Sequence, residues 1–171
     1  MNEPVNEPAS GAAIDAVREG ERVVEPMPAS DAGIVFVGTI RTPFATRADC
    51  PRQGRPDGPL CALVLDERWA PAAAGLEVCE SLEVLYWLDR SRRDLLVQRP
   101  RADGPLHGTF SLRSPNRPNP IGTSLVRLER VEGRTLHVRG LDCIDGTPLI
   151  DVKPDRCPYV PVAPEKAADR R

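Results

Sequence analysis

The chain has 171 residues, of which 40% are hydrophobic and 28% charged, with a net charge of −2 at pH 7. These are ordinary proportions for a soluble globular protein of one compact domain. They do not mark a nucleic-acid binder globally, no apolar run reaches membrane-spanning length, and the acidic N-terminus is not a secretory leader.

In chain order, residues 1–32 are rich in Glu, Pro, Ala and Ser and read as a mobile or loosely docked arm, with a short helix expected over Ala12–Val24. The folded domain is expected over 33–161, followed by a tail over 162–171. The β-branched run Ile34–Ile40 predicts a first strand, and Arg41–Pro59 a long loop. Cys61–Leu65 predicts a second strand, and alanine-rich Ala70–Val78 a helix with Pro71 in its first turn. Leu82–Leu88 predicts a strand, with Leu95–Gln98 returning beside it. Gly108–Leu112, Ser124–Val131 and Thr135–Val138 alternate as strands do. Asp145-Gly146 marks a tight turn before a closing strand, Leu149–Val152. Nineteen prolines and many short strands point to a mainly β fold of mostly antiparallel strands with one or two short helices, either a small β-barrel or a sandwich. No βαβ rhythm or Gly-rich phosphate loop appears, which excludes a dinucleotide-binding fold.

The five cysteines show neither a CxxC pair nor zinc spacing, and their odd count and wide gaps fit free thiols in a reducing cytoplasm. His107 and His137 lie far apart without ligand neighbours, so no metal site is expected. The segment Arg113–Gly122 alternates prolines with arginines and asparagines. Each proline fixes its own φ and extends the residue before it, which gives a stiff polar loop. Such a loop loses little entropy on gripping a ligand. The arginine-rich stretches Arg90–Arg101 and Arg113–Arg139 are either a local basic face for phosphates or an ordinary solvated surface, and charge alone favours the solvated surface. Asp151 and Lys153, two apart, share one face of a strand as either an ion pair or a catalytic pair.

Four blocks carry a family resemblance. Leu112–Val126 resembles T-R-S-P-F-R-P-N-P-I-G-x-S-x-V, and Gly140–Pro154 resembles G-L-D-x-x-D-G-T-P-x-x-D-I-K-P. Pro51-Arg52-Gln53 matches P-R-Q, and Gly38–Phe44 matches G-x-I-x-S/T-P-F/Y. On these the chain is similar to the TrmO-like (YaeB/TsaA, VirR) family of S-adenosylmethionine-dependent methyltransferases. The resemblance covers about Gly33 to Pro161. It implies a single-sheet β-barrel working as a homodimer in the cytoplasm, with no metal. The implied reaction methylates N6 of N6-threonylcarbamoyladenosine at position 37 of a tRNA. It also implies donor contacts at Pro51, Arg52, Gln53, Arg113 and Leu125, and at Leu141, Asp142, Cys143, Ile144 and Asp145. Asp89 and Arg90 stand where the family has His-Gln, a position tied to donor binding, and Asn116 replaces the apolar residue of the proline-rich block. A proton must leave the acceptor nitrogen, so a general base is needed. Asp151 is the first expectation and Asp142 the second, with Lys153 beside them. Arg117, Asn119 and Lys153 are expected to hold the acceptor's carboxylate or a phosphate. The changed residues also leave open a small-metabolite methyltransferase, or a binding module without catalysis.

Overall fold

The computed structural model describes residues 16–25, 33–101 and 103–157. Its strands are β1 (Arg22–Val23), β2 (Gly38–Arg41), β3 (Leu60–Leu65), β4 (Ser81–Trp87), β5 (Leu95–Gln98), β6 (His107–Gly108), β7 (Ile121–Glu132), β8 (Thr135–Arg139) and β9 (Pro148–Arg156). Among the described residues the helices are short 3-10 segments at Glu67–Ala73, Leu76–Val78 and Thr109–Ser111. The expected mainly β barrel is therefore observed.

Two compact units divide the chain. One holds described residues 33–89 and 121–157, the other 16–25 and 90–120. In the larger unit six strands close in the order β2-β3-β8-β7-β4-β9, every pair antiparallel. Alternation sorts each strand into two faces. Ile40, Leu63, Leu82, Val84, Val126, Leu136, Val138 and Leu149 are at most 1% exposed and fill the interior. With few aromatics available, branched aliphatic side chains build this core, and burying each contributes about 1.5–3 kcal/mol. β4 and β7 pair from Ser81↔Arg127 to Trp87↔Ile121, so residues 88–120 leave and re-enter the barrel at one rung of that ladder.

In the smaller unit β5 pairs with β1 and β6. Gln98 and Thr109 are buried here and satisfy each other: the Gln98 amide donates to Thr109 Oγ1 (2.8 Å) and to the Asn116 carbonyl (2.6 Å), and the Thr109 hydroxyl donates to the Leu95 carbonyl (2.6 Å).

Several local expectations are corrected. The barrel strand begins at Gly38, while Ile34, Val35 and Phe36 are 46%, 63% and 43% exposed and pair with nothing as a strand. The helix over Ala70–Val78 is two 3-10 pieces, because Pro71 lacks a donor and Gly75 adopts φ 90° between them. Residues 16–24 are not helical: Gly20 turns the chain at φ 80°, and Arg22–Val23 pairs with β5. Residues 12–15 of that expectation lie outside the described residues. β5 does not return beside β4, whose two edges are taken by β7 and β9. Of the strand expected over Gly108–Leu112, Gly108 ends β6 and Thr109–Ser111 is a 3-10 turn, held by the buried Thr109 hydroxyl. Free thiols are found at Cys50, Cys61 and Cys143, but Cys79 and Cys157 form a disulfide. It joins the residue shortly before β4 to the residue after β9, which brings together two cysteines 78 positions apart. The expected boundaries at 32 and 161 fall outside the described residues.

Candidate functional site

The Gly140–Pro148 turn region acts as a hub for three distant stretches of the larger unit. The Asp142 carboxylate has three donor groups within hydrogen-bond distance. The Tyr86 hydroxyl (2.6 Å) and the Ser124 hydroxyl (3.1 Å) reach Oδ1, and the Gly54 backbone N–H (3.2 Å) reaches Oδ2. The Tyr86 and Ser124 hydroxyl oxygens also lie 2.9 Å apart, so with one proton each the Ser124 hydroxyl donates either to Asp142 or to the Tyr86 oxygen. Burial pushes the Tyr86 phenol well above its ordinary range, and the negative charge of Asp142 adds to that, so the phenol stays a proton donor.

Two glycines make this hub possible. Tyr86 on β4 faces Gly122 on β7, and any Cβ at Gly122 would stand 2.1 Å from the Tyr86 ring. The bare backbone lets the ring lie across the neighbouring strand with its hydroxyl next to Ser124, two residues on. Gly54 packs so closely on the Gly140 carbonyl that a Cβ would sit 1.7 Å from the oxygen. The Pro51-Arg52-Gln53 stretch, all exposed, is thereby held against the Gly140–Asp142 backbone. Cys50 reports the same proximity: burial first, then the charge of Asp142, raises its thiol pKa.

The opening block is stitched to the same turn. The Thr42 N–H donates to Asp145 Oδ1 (3.1 Å), the Thr42 hydroxyl to the Cys143 carbonyl (2.9 Å), and Arg41 pairs with Asp145 Oδ2 (3.4 Å). The Asp145 and Gly146 N–H groups donate to the carbonyls of Phe44 and Ile40. Leu141 and Cys143 are buried, and burial pushes the Cys143 thiol up to about 12. A Cβ at Gly140 would stand 3.0 Å from the Leu125 carbonyl oxygen, and the Leu125 side chain is 59% exposed on β7. The structure therefore brings Gly54, which follows Pro51–Gln53 in the chain, and the backbone of Leu125 against the Leu141–Asp145 turn, with Ile144 inside the same turn, while the Leu125 side chain projects from the outer face of β7 opposite Glu83.

Asp151 and Lys153 lie on the outer face of the barrel wall, in the cross-strand rows that continue through Leu85 and Glu83 to Thr123 and Leu125. They pair in register with Leu85 and Glu83, the outward residues of β4, whereas Asp142 bonds to inward Tyr86 and Ser124. Lys153 Nζ donates to Asp151 Oδ2 at 2.5 Å, and this contact raises the Lys153 pKa. Asp151 Oδ1 accepts from the Val152 N–H at 2.9 Å. The Thr123 hydroxyl joins Glu83 on the same outer face.

Asp89 is exposed at the end of the larger unit's first segment. Arg90, Arg113, Arg117 and Asn119 belong to the smaller unit. There Arg117 braces the proline-rich loop, donating through Nη2 to the Leu112 carbonyl and through Nε to the Ser114 carbonyl (3.0 Å). Asn116 is buried and accepts the Arg92 N–H at 3.3 Å, which gives the substituted position a structural task. Arg113, Arg90 and Asn119 are exposed.

Sequence reasoning missed Tyr86, Ser124 and Gly122. A signal was present: a tyrosine at an inward strand position must find a partner for its hydroxyl, and a glycine inside a strand marks a close approach.

Comparison with known proteins gives a consistent picture. A family model described as "tRNA-methyltransferase O N-terminal domain" matches residues 39–163. The "Probable S-adenosyl-L-methionine-binding protein VirR" of Rhizobium radiobacter is 58% identical over 134 residues, 78% of this chain and 77% of that protein. The mouse "tRNA (adenine(37)-N6)-methyltransferase" is 55% identical over 58 residues, 34% of this chain and 14% of that protein. Among solved structures, a TrmO crystal structure superposes with TM-score 0.62 at 33% identity, covering 82% of this chain and 63% of that one. TrmO from Pseudomonas aeruginosa gives TM-score 0.61 at 32% identity, covering 84% and 61%. The chain thus spans somewhat under two thirds of the solved TrmO chains it matches.

Proposed function

This chain belongs to the tRNA-methyltransferase O N-terminal domain family, and from that premise we propose that it is an S-adenosylmethionine-dependent methyltransferase acting on tRNA. The proposed target is N6 of a modified adenosine, N6-threonylcarbamoyladenosine at position 37, and the proposed working form is a cytoplasmic homodimer. The observation that carries the reading is the Asp142 hub. It ties Gly54, Tyr86 and Ser124, from three separate segments, to one turn, with exposed Arg52 and Gln53 just before Gly54 in the chain and exposed Leu125 just after Ser124.

Those residue types fit the proposed donor, which combines an amino acid end, a ribose and an adenine. Arg52 offers a cation for the carboxylate, Gln53 an amide for polar groups, and Leu125 an apolar face for the adenine ring. Arg113, Asp89 and Arg90 are proposed to complete the donor contacts, alongside the backbone of Leu141–Asp145 and Pro51. When bound, S-adenosylmethionine supplies a methyl group carried on a sulfonium. The protein's work is alignment: a preset hub holds the binding loops without reorganisation, and positioning supplies most of the acceleration in an in-line transfer. Asp142 already has three donor groups within reach, which suits a group that fixes the loops. Asp151, with Lys153 beside it, is proposed to take the proton from the acceptor nitrogen. Arg117 and Asn119, with Lys153, are proposed to bind the acceptor's carboxylate or a phosphate.

The test is nucleoside mass spectrometry of tRNA from cells with and without the gene, combined with transfer from labelled donor in vitro. The expected result is loss of the methylated nucleoside in the deletion and label that ribonuclease releases. Label that survives ribonuclease would refute the RNA substrate. An Asp151→Asn variant should keep donor affinity and lose turnover; full turnover removes Asp151 as the base.

A further inference from the structure

Phe110 is 86% exposed, the highest exposure among the large hydrophobic side chains described. It does not sit on a loose loop. Its 3-10 turn, Thr109–Ser111, is anchored from beneath by Thr109, which is 3% exposed and bonded to both Leu95 and Gln98. The Ser111 hydroxyl donates to the Gly108 carbonyl (2.8 Å), and the Leu112 N–H donates to the Thr109 carbonyl (3.2 Å), closing the turn on both sides. The same buried Gln98 amide grips the Asn116 carbonyl, so the turn and the proline-rich loop share one rigid base. A fully projecting aromatic ring on a pinned pedestal loses little entropy when something stacks on it.

The charge around the ring selects the occupant. Residues 90–120 hold seven arginines and two aspartates, a formal +5. Described residues 16–25, which belong to the same unit, add two arginines and three glutamates and leave its described residues at a formal +4. Exposed Arg93, Arg101 and Arg113 and exposed His107 belong to the same stretch. Cations that meet phosphates beside an aromatic face that meets bases are the two ingredients of single-strand recognition. A partner protein surface would match the apolar ring but has no need of so lopsided a charge.

We propose that Phe110 is a stacking platform for an unpaired base of an RNA loop, with the exposed arginines of residues 90–120, among them Arg93, Arg101 and Arg113, holding the flanking backbone. The inference rests on the RNA-substrate reading above and adds the residue that would engage a splayed base.

The experiment uses the full chain and two probes: total tRNA, and a short RNA stem-loop carrying 2-aminopurine in its single-stranded loop. Wild type should bind both and quench the 2-aminopurine. Phe110→Ala should weaken RNA binding about 5- to 150-fold and abolish the quench. Its donor affinity and melting temperature should not change, since Thr109 and the turn beneath are untouched. Phe110→Trp should restore binding and quench. The slope of log affinity against log salt should stay the same in Phe110→Ala, because no phosphate contact is removed. Unchanged RNA affinity in Phe110→Ala, against a wild type that binds, overturns the stacking role and leaves the RNA substrate standing. A wild type that binds neither probe overturns both. A Phe110→Ala variant that binds RNA normally but changes from dimer to monomer on sedimentation assigns the ring to a second copy of the chain and also overturns the proposal.

Discussion

Replacing Gly54 by alanine is the sharpest probe of the hub. The added Cβ would stand 1.7 Å from the Gly140 oxygen and 2.4 Å from its carbonyl carbon, both backbone atoms that cannot rotate away. Contacts of this kind stay above 3.0 Å, so the two segments must part by about 1.3 Å, a displacement large enough to misplace a bound reactant. The Gly54 N–H to Asp142 bond, already 3.2 Å, would then exceed hydrogen-bond reach. Losing one bond to a charged acceptor costs about 1.5–3 kcal/mol. The segment around Gly54 lies in no strand, so the barrel should still form. Misplacement on the 1 Å scale lowers catalytic efficiency about 100-fold, and the Pro51–Gln53 loop should lose donor affinity in similar proportion. Calorimetric titration with S-adenosylhomocysteine measures that loss, and a melting curve confirms the fold. Gly33→Ala is the control, since nothing lies within 4 Å of its Cβ position. A Gly54→Ala protein that binds the donor product within twofold of wild type would refute the argument that this packing shapes the site.

Tyr86→Phe removes the phenol hydroxyl from the hub without changing the ring. It should lower stability by about 2 kcal/mol in urea titration and weaken donor binding, and an unchanged midpoint would show that the phenol is not the brace. Cys79→Ser, or added reductant, should lower stability by about 2–4 kcal/mol, because the Cys79–Cys157 link spans 78 residues of the unfolded chain. Equal urea midpoints with and without reductant would contradict it. The Cys143 thiol, ordinarily near 9.0, is raised to about 12 by burial. Its contribution is fully present below pH 9 and fades as pH rises toward 12, as the unfolded chain ionises first. Urea midpoints should therefore fall between pH 9 and 11, and Cys143→Ala should fall less steeply.

The strands were legible in the sequence because they obey a two-residue alternation, while their closure into a barrel rather than a sandwich was carried by motif likeness. Leu63, Leu82, Val84, Leu136 and Val138 all occupy the inward positions that the pattern assigns. Errors fell where one residue outweighs a pattern. Gly75 and Pro71 split an alanine-rich run that composition reads as helix, and the Thr109 side chain converted an alternating segment into a turn. The disulfide was invisible because no spacing rule brings positions 79 and 157 together; only the pairing of β4 with β9 does. The turn over Leu141–Asp145 stood out as a polar island, and its meeting with Gly54 was carried by motif likeness rather than derived. Tyr86 and Ser124 stayed hidden because each looks like an ordinary strand residue until the register sets them on adjacent strands beside Asp142.

The excursion of residues 88–120 begins and ends beside a single pair, Trp87 and Ile121. A polypeptide spliced in at such a point is a removable cassette: a two-residue hairpin could bridge β4 to β7 and leave the ladder whole. Evolution or a protein engineer can thus exchange the arginine-bearing graft while the barrel ladder and the Asp142 knot are inherited unchanged.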